Sequence, residues 1–169
     1  MSLINKFPAG AKLLSADLNE TVPFTVRYQQ QTLETFTSGA DKKVTFETAI
    51  ETNSDVVVSG TGNTDFALQR VGRWGVAVGL RFLGNVGGNE RHLFVQTGSV
   101  FDVTQRIVGL ALPNVGSAPC TLACSTFFKI TSAPTTIIVG GFQNSTNSIN
   151  TDVGFGGTNH IALTWLGPL

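Results

Sequence analysis

The sequence FALQRVGRWGVAVGLRF, residues Phe66–Phe82, decides the fold class of this chain. After the glycine at position 72, large apolar residues occupy every second position, and mostly small residues stand between them. Successive side chains of a β-strand point to opposite faces, so a strand here presents five large apolar groups on one surface: Trp74, Val76, Val78, Leu80 and Phe82. We therefore predict a long strand that packs on a core.

The opposite face of this strand carries Gly75, Ala77 and Gly79. Glycine inside a strand gives up side-chain burial and often marks a place where another group approaches the backbone closely. The pattern predicts a close neighbour on this face, and a second chain is one candidate.

The composition is typical of an all-β protein with many turns. The 169 residues include 19 glycines, and only 13% are charged, against ~25% in ordinary soluble domains. Eleven basic residues balance eleven acidic ones, so neither nucleic acid nor an anionic membrane surface is expected as a partner. No apolar run reaches the ~18 residues of a spanning helix, so no membrane insertion is predicted. Weak surface charge favours a homo-oligomer.

Short strands separated by turn signals recur along the chain, and no segment longer than a turn has helical periodicity. About eight to ten antiparallel strands are predicted, and an all-β jelly-roll sandwich is the fold that suits them. The glycine-rich segment Gly84–Asn89 predicts a hairpin. The clearest strands are Val44–Ile50, Phe66–Val71, Trp74–Leu83, Leu93–Thr97 (the partner across that hairpin), Thr121–Thr131, Thr135–Phe142 and His160–Leu166.

Three parts are predicted along the chain. Residues 1–22 form an N-terminal extended arm, residues 23–42 a linker or an edge strand, and residues 43–169 the jelly-roll domain. The arm is predicted to dock on another surface, because its few leucines are too few to build a core of their own.

No catalytic constellation is visible, and the chain is not expected to be an enzyme. His92 and His160 lack the neighbours of a catalytic triad. Cys120 and Cys124 lie ~13 Å apart if their segment is a strand, which is too far for a disulfide. They are predicted to be free, buried thiols, and two thiols alone make a poor zinc site. No cofactor and no metal site are predicted.

The spacing of Phe66, Gly72, Trp74 and Val76 resembles the central motif of the complement-head and tumour-necrosis-factor-like (TNF-like) jelly-roll family. Tryptophan stands here where tyrosine is usual, and valine where phenylalanine is usual. The segment that begins at Gln143, before the final strand with Trp165, is similar to bacterial and phage members of the family. Members form trimers whose inner sheets meet on a three-fold axis, so the resemblance implies a homotrimer.

The arm carries a second resemblance. Its segment LSADLN, residues 14–19, resembles the opening of many tailed-phage virion proteins, where such a motif precedes a fibre or head domain. The resemblance implies that the arm anchors the protein to the particle through Phe7, Leu13, Leu14, Leu18 and Asn19.

These resemblances predict a phage virion structural protein, located in the virion and bound to capsid or tail proteins. A homotrimeric capsid decoration or short-appendage protein is the first expectation, because nothing in the sequence supplies the reach of a long fibre. The alternative is a tail-fibre or receptor-binding protein whose polar loops adhere to host surface glycans during host attachment. A soluble binding module, such as a lectin or a cytokine-like ligand, is an alternative of another class. The polar loops are Asn85–Asn89, Gln143–Asn150 and Gly156–Asn159.

Overall fold

The computed structural model describes residues 22–84, 90–113, 117–154 and 158–169. These residues form thirteen strands, three of them only two residues long, and one short 3-10 helix at Val103–Gln105. The strands are β1 (Phe24–Gln29), β2 (Thr35–Phe36), β3 (Lys42–Lys43), β4 (Thr48–Glu51), β5 (Val56–Ser59), β6 (Asp65–Leu68), β7 (Gly72–Phe82), β8 (Glu90–Thr97), β9 (Arg106–Pro113), β10 (Cys120–Ile130), β11 (Thr135–Gln143), β12 (Ile149–Asn150) and β13 (His160–Gly167).

Two antiparallel sheets face each other across the core. The first sheet has the spatial order β10-β7-β13-β1-β4, and the second has the order β5-β6-β11-β8-β9, with β3 added on β11. The two short strands β2 and β12 pair with each other. Most neighbours in each sheet come from distant parts of the sequence, although β5 pairs with β6 and β8 with β9, and the all-β jelly roll predicted from the sequence is confirmed.

The central strand β7 has the face that its alternation predicts. The five large apolar side chains from Trp74 to Phe82 are at most 3% exposed. They pack with the inward side chains of β13, which are Ile161, Leu163 and Trp165. This layer forms one half of the core, and apolar side chains of β6, β8 and β11 form the other half.

The predicted hairpin between β7 and β8 is wrong. Strand β7 pairs with β10 and β13 in the first sheet, whereas β8 pairs with β11 and β9 in the second. The connection crosses from one sheet to the other, because both edges of each strand are already occupied by partners from elsewhere in the chain.

Two other segments differ from the prediction. Strand β1 lies between β13 and β4, so this part of residues 23–42 is neither a linker nor an edge strand. Of the strand predicted at Val44–Ile50, only residues 48–50 lie in a strand, β4 of the first sheet, whereas β3, just before Val44, joins the second sheet. Val44 and Phe46 are fully buried at this crossing, which explains why the sequence alternates there without forming one strand.

Candidate interaction face

The outward surface of the first sheet is built from small side chains. Strand register places Ala123 and Ser125 of β10 opposite Gly79 and Ala77 of β7, and Ala162 of β13 also opposite Ala77. We call this surface the small-residue face; it comprises Gly75, Ala77, Gly79, Ala123, Ser125, Ala162 and Thr164. Without long side chains, another surface can approach this part of the sheet closely.

Part of the close approach predicted for this face is made by the chain itself. A β-carbon added at Gly79 would overlap the backbone oxygen of Thr158 and lie 3.0 Å from the His160 ring. A β-carbon added at Gly75 would lie 3.3 Å from the ring of Phe127. The two glycines therefore give room to groups of neighbouring strands and of the segment before β13.

Phe127 is the most exposed large apolar side chain of the described residues. It lies across from Gly75 in the register between β10 and β7, and 77% of it is exposed. Its neighbour in sequence, Phe128, faces inward and packs against the core. An aromatic ring held on a flat sheet and open to water on its other side is a ready contact for a second surface.

Two positive charges stand beside this ring. Arg73 and Lys129 are exposed and directly opposite each other on neighbouring strands, and neither forms an ion pair within the described residues. Directly opposed like charges destabilise an antiparallel pair. Together these groups form what we call the cationic pocket, a depression of about 420 Å³ lined by Arg73, Phe127, Phe128, Lys129 and Leu166.

Three of the family-motif residues serve the core. Phe66 is fully buried and meets Tyr28 edge-on, with ring centroids 5.3 Å apart. Trp74 is also fully buried, and its Nε1 donates to the Arg70 backbone oxygen at 3.0 Å. Val76 is 3% exposed. They hold the sheets together and do not reach the small-residue face.

Gly72 and Trp165 belong to one arrangement at the end of β7. Gly72 has a φ of +147°, and a β-carbon there would overlap Nε1 of the Trp165 indole. The Arg70 guanidinium covers that indole at 4.5 Å and forms a 2.7 Å ion pair with Asp55. The glycine of the motif is thus required by the tryptophan that packs on it.

Gln143 is a buried hydrogen-bonding centre. Its Nε2 donates to the backbone oxygens of Phe36 and Asn147 at 2.8 and 3.0 Å, and its Oε1 accepts from the backbone N–H of Ser145 at 2.7 Å. The Ser145 hydroxyl donates to the same Oε1. This one side chain therefore fixes the start of the polar loop that follows β11.

A second polar centre fixes the start of β13. Asn159 is 2% exposed; its amide donates to Gln30 Oε1 at 2.8 Å, and its Oδ1 accepts from the Arg81 backbone N–H at 2.7 Å. The Arg81 side chain forms a 2.8 Å ion pair with Asp152. Asp152 and Asn159 are therefore each held in place by polar or charged groups of neighbouring segments.

The remaining polar candidates do not come together. Nε2 of His92 lies 2.9 Å from a Glu90 carboxylate oxygen, and His160 lies at the edge of the small-residue face. Cys120 and Cys124 are free, and burial raises the pKa of both thiols. Among the described residues, no three His, Cys, Asp or Glu side chains are grouped so that they could hold a metal ion.

The predicted anchoring residues Phe7, Leu13, Leu14, Leu18 and Asn19 lie outside the described residues. Within the described part of the chain, no helix has the length and apolarity needed to cross a membrane.

The cationic pocket was not predicted from the sequence. The strand alternation that turns Phe128 inward implies that Phe127 and Lys129 face outward, and this signal was available. The pairing of Lys129 with Arg73 was not, because it depends on the register of two strands far apart in the sequence.

Comparisons with known proteins support the fold alone. No protein-family model matches the chain, and no curated protein matches it. Among solved structures, murine APRIL at pH 8.0 is similar with a TM-score of 0.64 and 8% identity, over 86% of this chain and all of that chain. Eiger TNF from S. frugiperda is similar with a TM-score of 0.57 and 12% identity, over 87% of this chain and 94% of that chain. The fold of this chain is a TNF-like jelly roll.

Proposed function

We propose that this chain is a structural protein of a tailed-phage virion, in which three copies associate through the small-residue face and the N-terminal arm attaches the trimer to the particle. The preferred placement is on the capsid, as a decoration or short-appendage protein. No enzymatic role is part of the proposal.

The observation that carries the self-association is the small-residue face with Phe127. An aromatic side chain that is 77% exposed, next to a surface of small uncharged residues, is costly to leave in water. A jelly-roll fold of the TNF type is the second support, because the family that the sequence resembles associates as trimers. Neither support depends on the arm.

The arm supports the placement on a particle. Its segment at residues 14–19 resembles the start of tailed-phage virion proteins, and it precedes the strands of the described jelly roll. An anchor of this kind needs apolar groups that dock on a preformed surface, and the leucines at positions 13, 14 and 18 supply them.

Two measurements test the proposal. Light scattering of the purified chain is expected to give three times the 17.9 kDa mass of one chain. Electron microscopy of particles whose copies carry a C-terminal gold label is expected to show label over the capsid. A monomer at all concentrations contradicts the self-association, and particles without label contradict the virion role.

The alternative placement is on the tail, with the polar loops toward the host. The observation that favours it is that Gln143 fixes the start of the polar loop after β11, since a fixed loop loses less entropy when it binds a ligand. Label confined to the tail, together with binding of the trimer to a host-type glycan array, would select this alternative.

A further inference from the structure

The three most exposed large apolar side chains of the described residues fall on only two surfaces. Phe127, 77% exposed, lies in the cationic pocket. Val100 and Val103, 75% and 69% exposed, lie together on the loop between β8 and β9, residues 98–105. We call this loop the acidic knob, because Asp102 stands exposed between the two valines.

The acidic knob is held in its shape by buried groups. Gln96 is 1% exposed; its Nε2 donates to the Val100 backbone oxygen at 2.7 Å, and its Oε1 accepts from the Asp102 backbone N–H at 3.4 Å. The Thr97 hydroxyl donates to Gln105 Oε1 at 2.8 Å. The two valines are therefore held outward by a fixed loop, which reduces the entropy lost on binding.

The Asp102 carboxylate is charged, and only one of its two oxygens accepts a hydrogen bond within the described residues. Its Oδ1 accepts from the Thr104 backbone N–H at 2.9 Å and from the Thr104 hydroxyl at 2.7 Å. These hydrogen bonds lower the pKa of the carboxyl. No hydrogen bond within the described residues reaches Oδ2, so one oxygen is available to an external cation.

The two surfaces are complementary in both chemistry and charge. The acidic knob offers apolar groups around a carboxylate, and the cationic pocket offers an aromatic ring between two cations that have no acidic partner in the described part of their own chain. They lie on different sheets of the sandwich, so one molecule can use both at once.

From this complementarity we infer that the acidic knob of one copy docks into the cationic pocket of the next copy. The Asp102 carboxylate then neutralises Arg73 and Lys129. The inference rests on the proposed self-association and names the surface that meets the small-residue face.

Such a contact is heterologous, because it joins two different surfaces of identical chains. A heterologous contact closes into a ring when its rotation allows and otherwise continues as an open chain. A three-fold ring agrees with the proposed trimer. In that ring each copy contributes one knob and one pocket, and the valines of one copy cover Phe127 of the next.

Charge reversal in the full-length chain tests the inference. Asp102→Lys reverses the charge of the knob, and the double variant Arg73→Glu/Lys129→Glu reverses the charge of the pocket. Each variant alone is expected to raise the concentration needed for association by at least about tenfold, because close interfacial charge pairs contribute that much or more. Glu51→Lys, an exposed reversal on β4, is the matched control and is expected to associate like the wild type.

Mixing the two defective variants gives the sharpest result. Each contact between the two variants then pairs opposite charges, whereas a contact between two copies of the same variant pairs like charges. A three-membered ring that contains both variants has two favourable contacts and one unfavourable contact, so the mixture is expected to associate more readily than either variant alone and less readily than the wild type. The triple variant with all three reversals is expected to restore the wild-type assembly. Asp102→Asn, which keeps the acceptor for Thr104 but removes the charge, separates loss of charge from loss of the loop structure and is expected to weaken association.

Each remaining outcome has a definite meaning. A wild-type trimer that Asp102→Lys leaves intact overturns the inference while the self-association stands. A wild-type monomer contradicts the proposed self-association itself. Folded single variants that fail to associate, and that neither mixing nor the triple variant rescues, also overturn the inference. A pocket variant that still forms trimers but no longer attaches to particles assigns the pocket to a capsid or tail protein instead.

Discussion

Phe127→Ala is expected to weaken the association of the chain without weakening its fold. Full burial of a phenylalanine side chain contributes roughly 1.5–3 kcal/mol relative to exposure. Since 77% of Phe127 is exposed in one copy, its burial in an interface contributes roughly 1.2–2.3 kcal/mol per copy. Over three copies this sum is roughly 3–7 kcal/mol, or about 10²–10⁵-fold in the association constant of the trimer.

The protein concentration at which half of the chains are in trimers varies with the inverse square root of that association constant. It is therefore expected to rise about 10- to 300-fold in the variant. Sedimentation equilibrium over a dilution series of both proteins measures this shift. Urea unfolding at a dilution where both proteins are monomeric is expected to agree within about 0.5 kcal/mol, because a surface side chain contributes little to the fold.

Val57→Ala provides the matched control. Val57 is an apolar side chain, 50% exposed, on the edge strand β5 of the other sheet. Its removal is expected to leave the association unchanged. If Phe127→Ala associates at the wild-type concentration, the exposed ring is not part of the interface and the reasoning from the small-residue face fails.

Three further predictions concern the stability of the fold and the reactivity of its thiols. Gly79→Ala is expected to cost roughly 1–3 kcal/mol in the free energy of unfolding, measured by urea titration, because the added β-carbon overlaps the Thr158 backbone oxygen. Gln143→Leu is expected to cost roughly 2–4 kcal/mol in the same assay, because it leaves buried backbone groups unpaired. Alkylation of Cys120 and Cys124 in the folded chain is expected to be slow at pH 8 and to rise only above the ordinary thiol pKa, because burial raises both pKa values. Mass spectrometry of the labelled protein follows that rate.

Each of these predictions has a result that contradicts it. A Gly79→Ala variant as stable as the wild type would mean that the segment before β13 yields without cost. Gln143→Glu keeps the shape of the side chain but replaces the amide donor, so stability equal to the wild type in this variant would show that the donated hydrogen bonds contribute nothing. Thiols that are alkylated in the folded chain as fast as in urea would show that burial does not protect them.

The inward face of β7 was predictable because it depends only on local alternation. Each apolar residue from Trp74 to Phe82 lies two positions from the next, and a strand converts that spacing into one surface whatever its neighbours are. The same alternation is present in β13, where Ile161, Leu163 and Trp165 are buried. The Gly72 position was also predictable as a special one, although its cause, the Trp165 ring, comes from the far end of the chain.

The strand partners were not predictable in the same way. The turn-forming residues at Gly84–Asn89 are typical of a hairpin, but they do not indicate that β10 and β13 occupy the two edges of β7. The crossing at Val44 and Phe46 was misread for a related reason, since both residues are buried although their neighbours join different sheets. Pairing between strands that are far apart in the sequence depends on how the whole core packs, so a local sequence pattern does not predict it.

The candidate site was predictable only in part. The outward direction of Phe127 follows from alternation, but its contact with Gly75 and the meeting of Arg73 with Lys129 depend on register between distant strands. The anchoring role of the arm stays a prediction from resemblance.

The pairing of β1 with β13 has a consequence for the synthesis of the chain. Phe24 aligns with Trp165, so the first strand leaves the ribosome about 140 residues before its main partner exists. At roughly 5–20 residues per second, it waits about 7–30 s with Val26 and Tyr28 unburied. Translation that ends before His160 therefore releases a nascent chain whose first strand lacks its long partner, and such fragments are expected to be bound by chaperones or to aggregate.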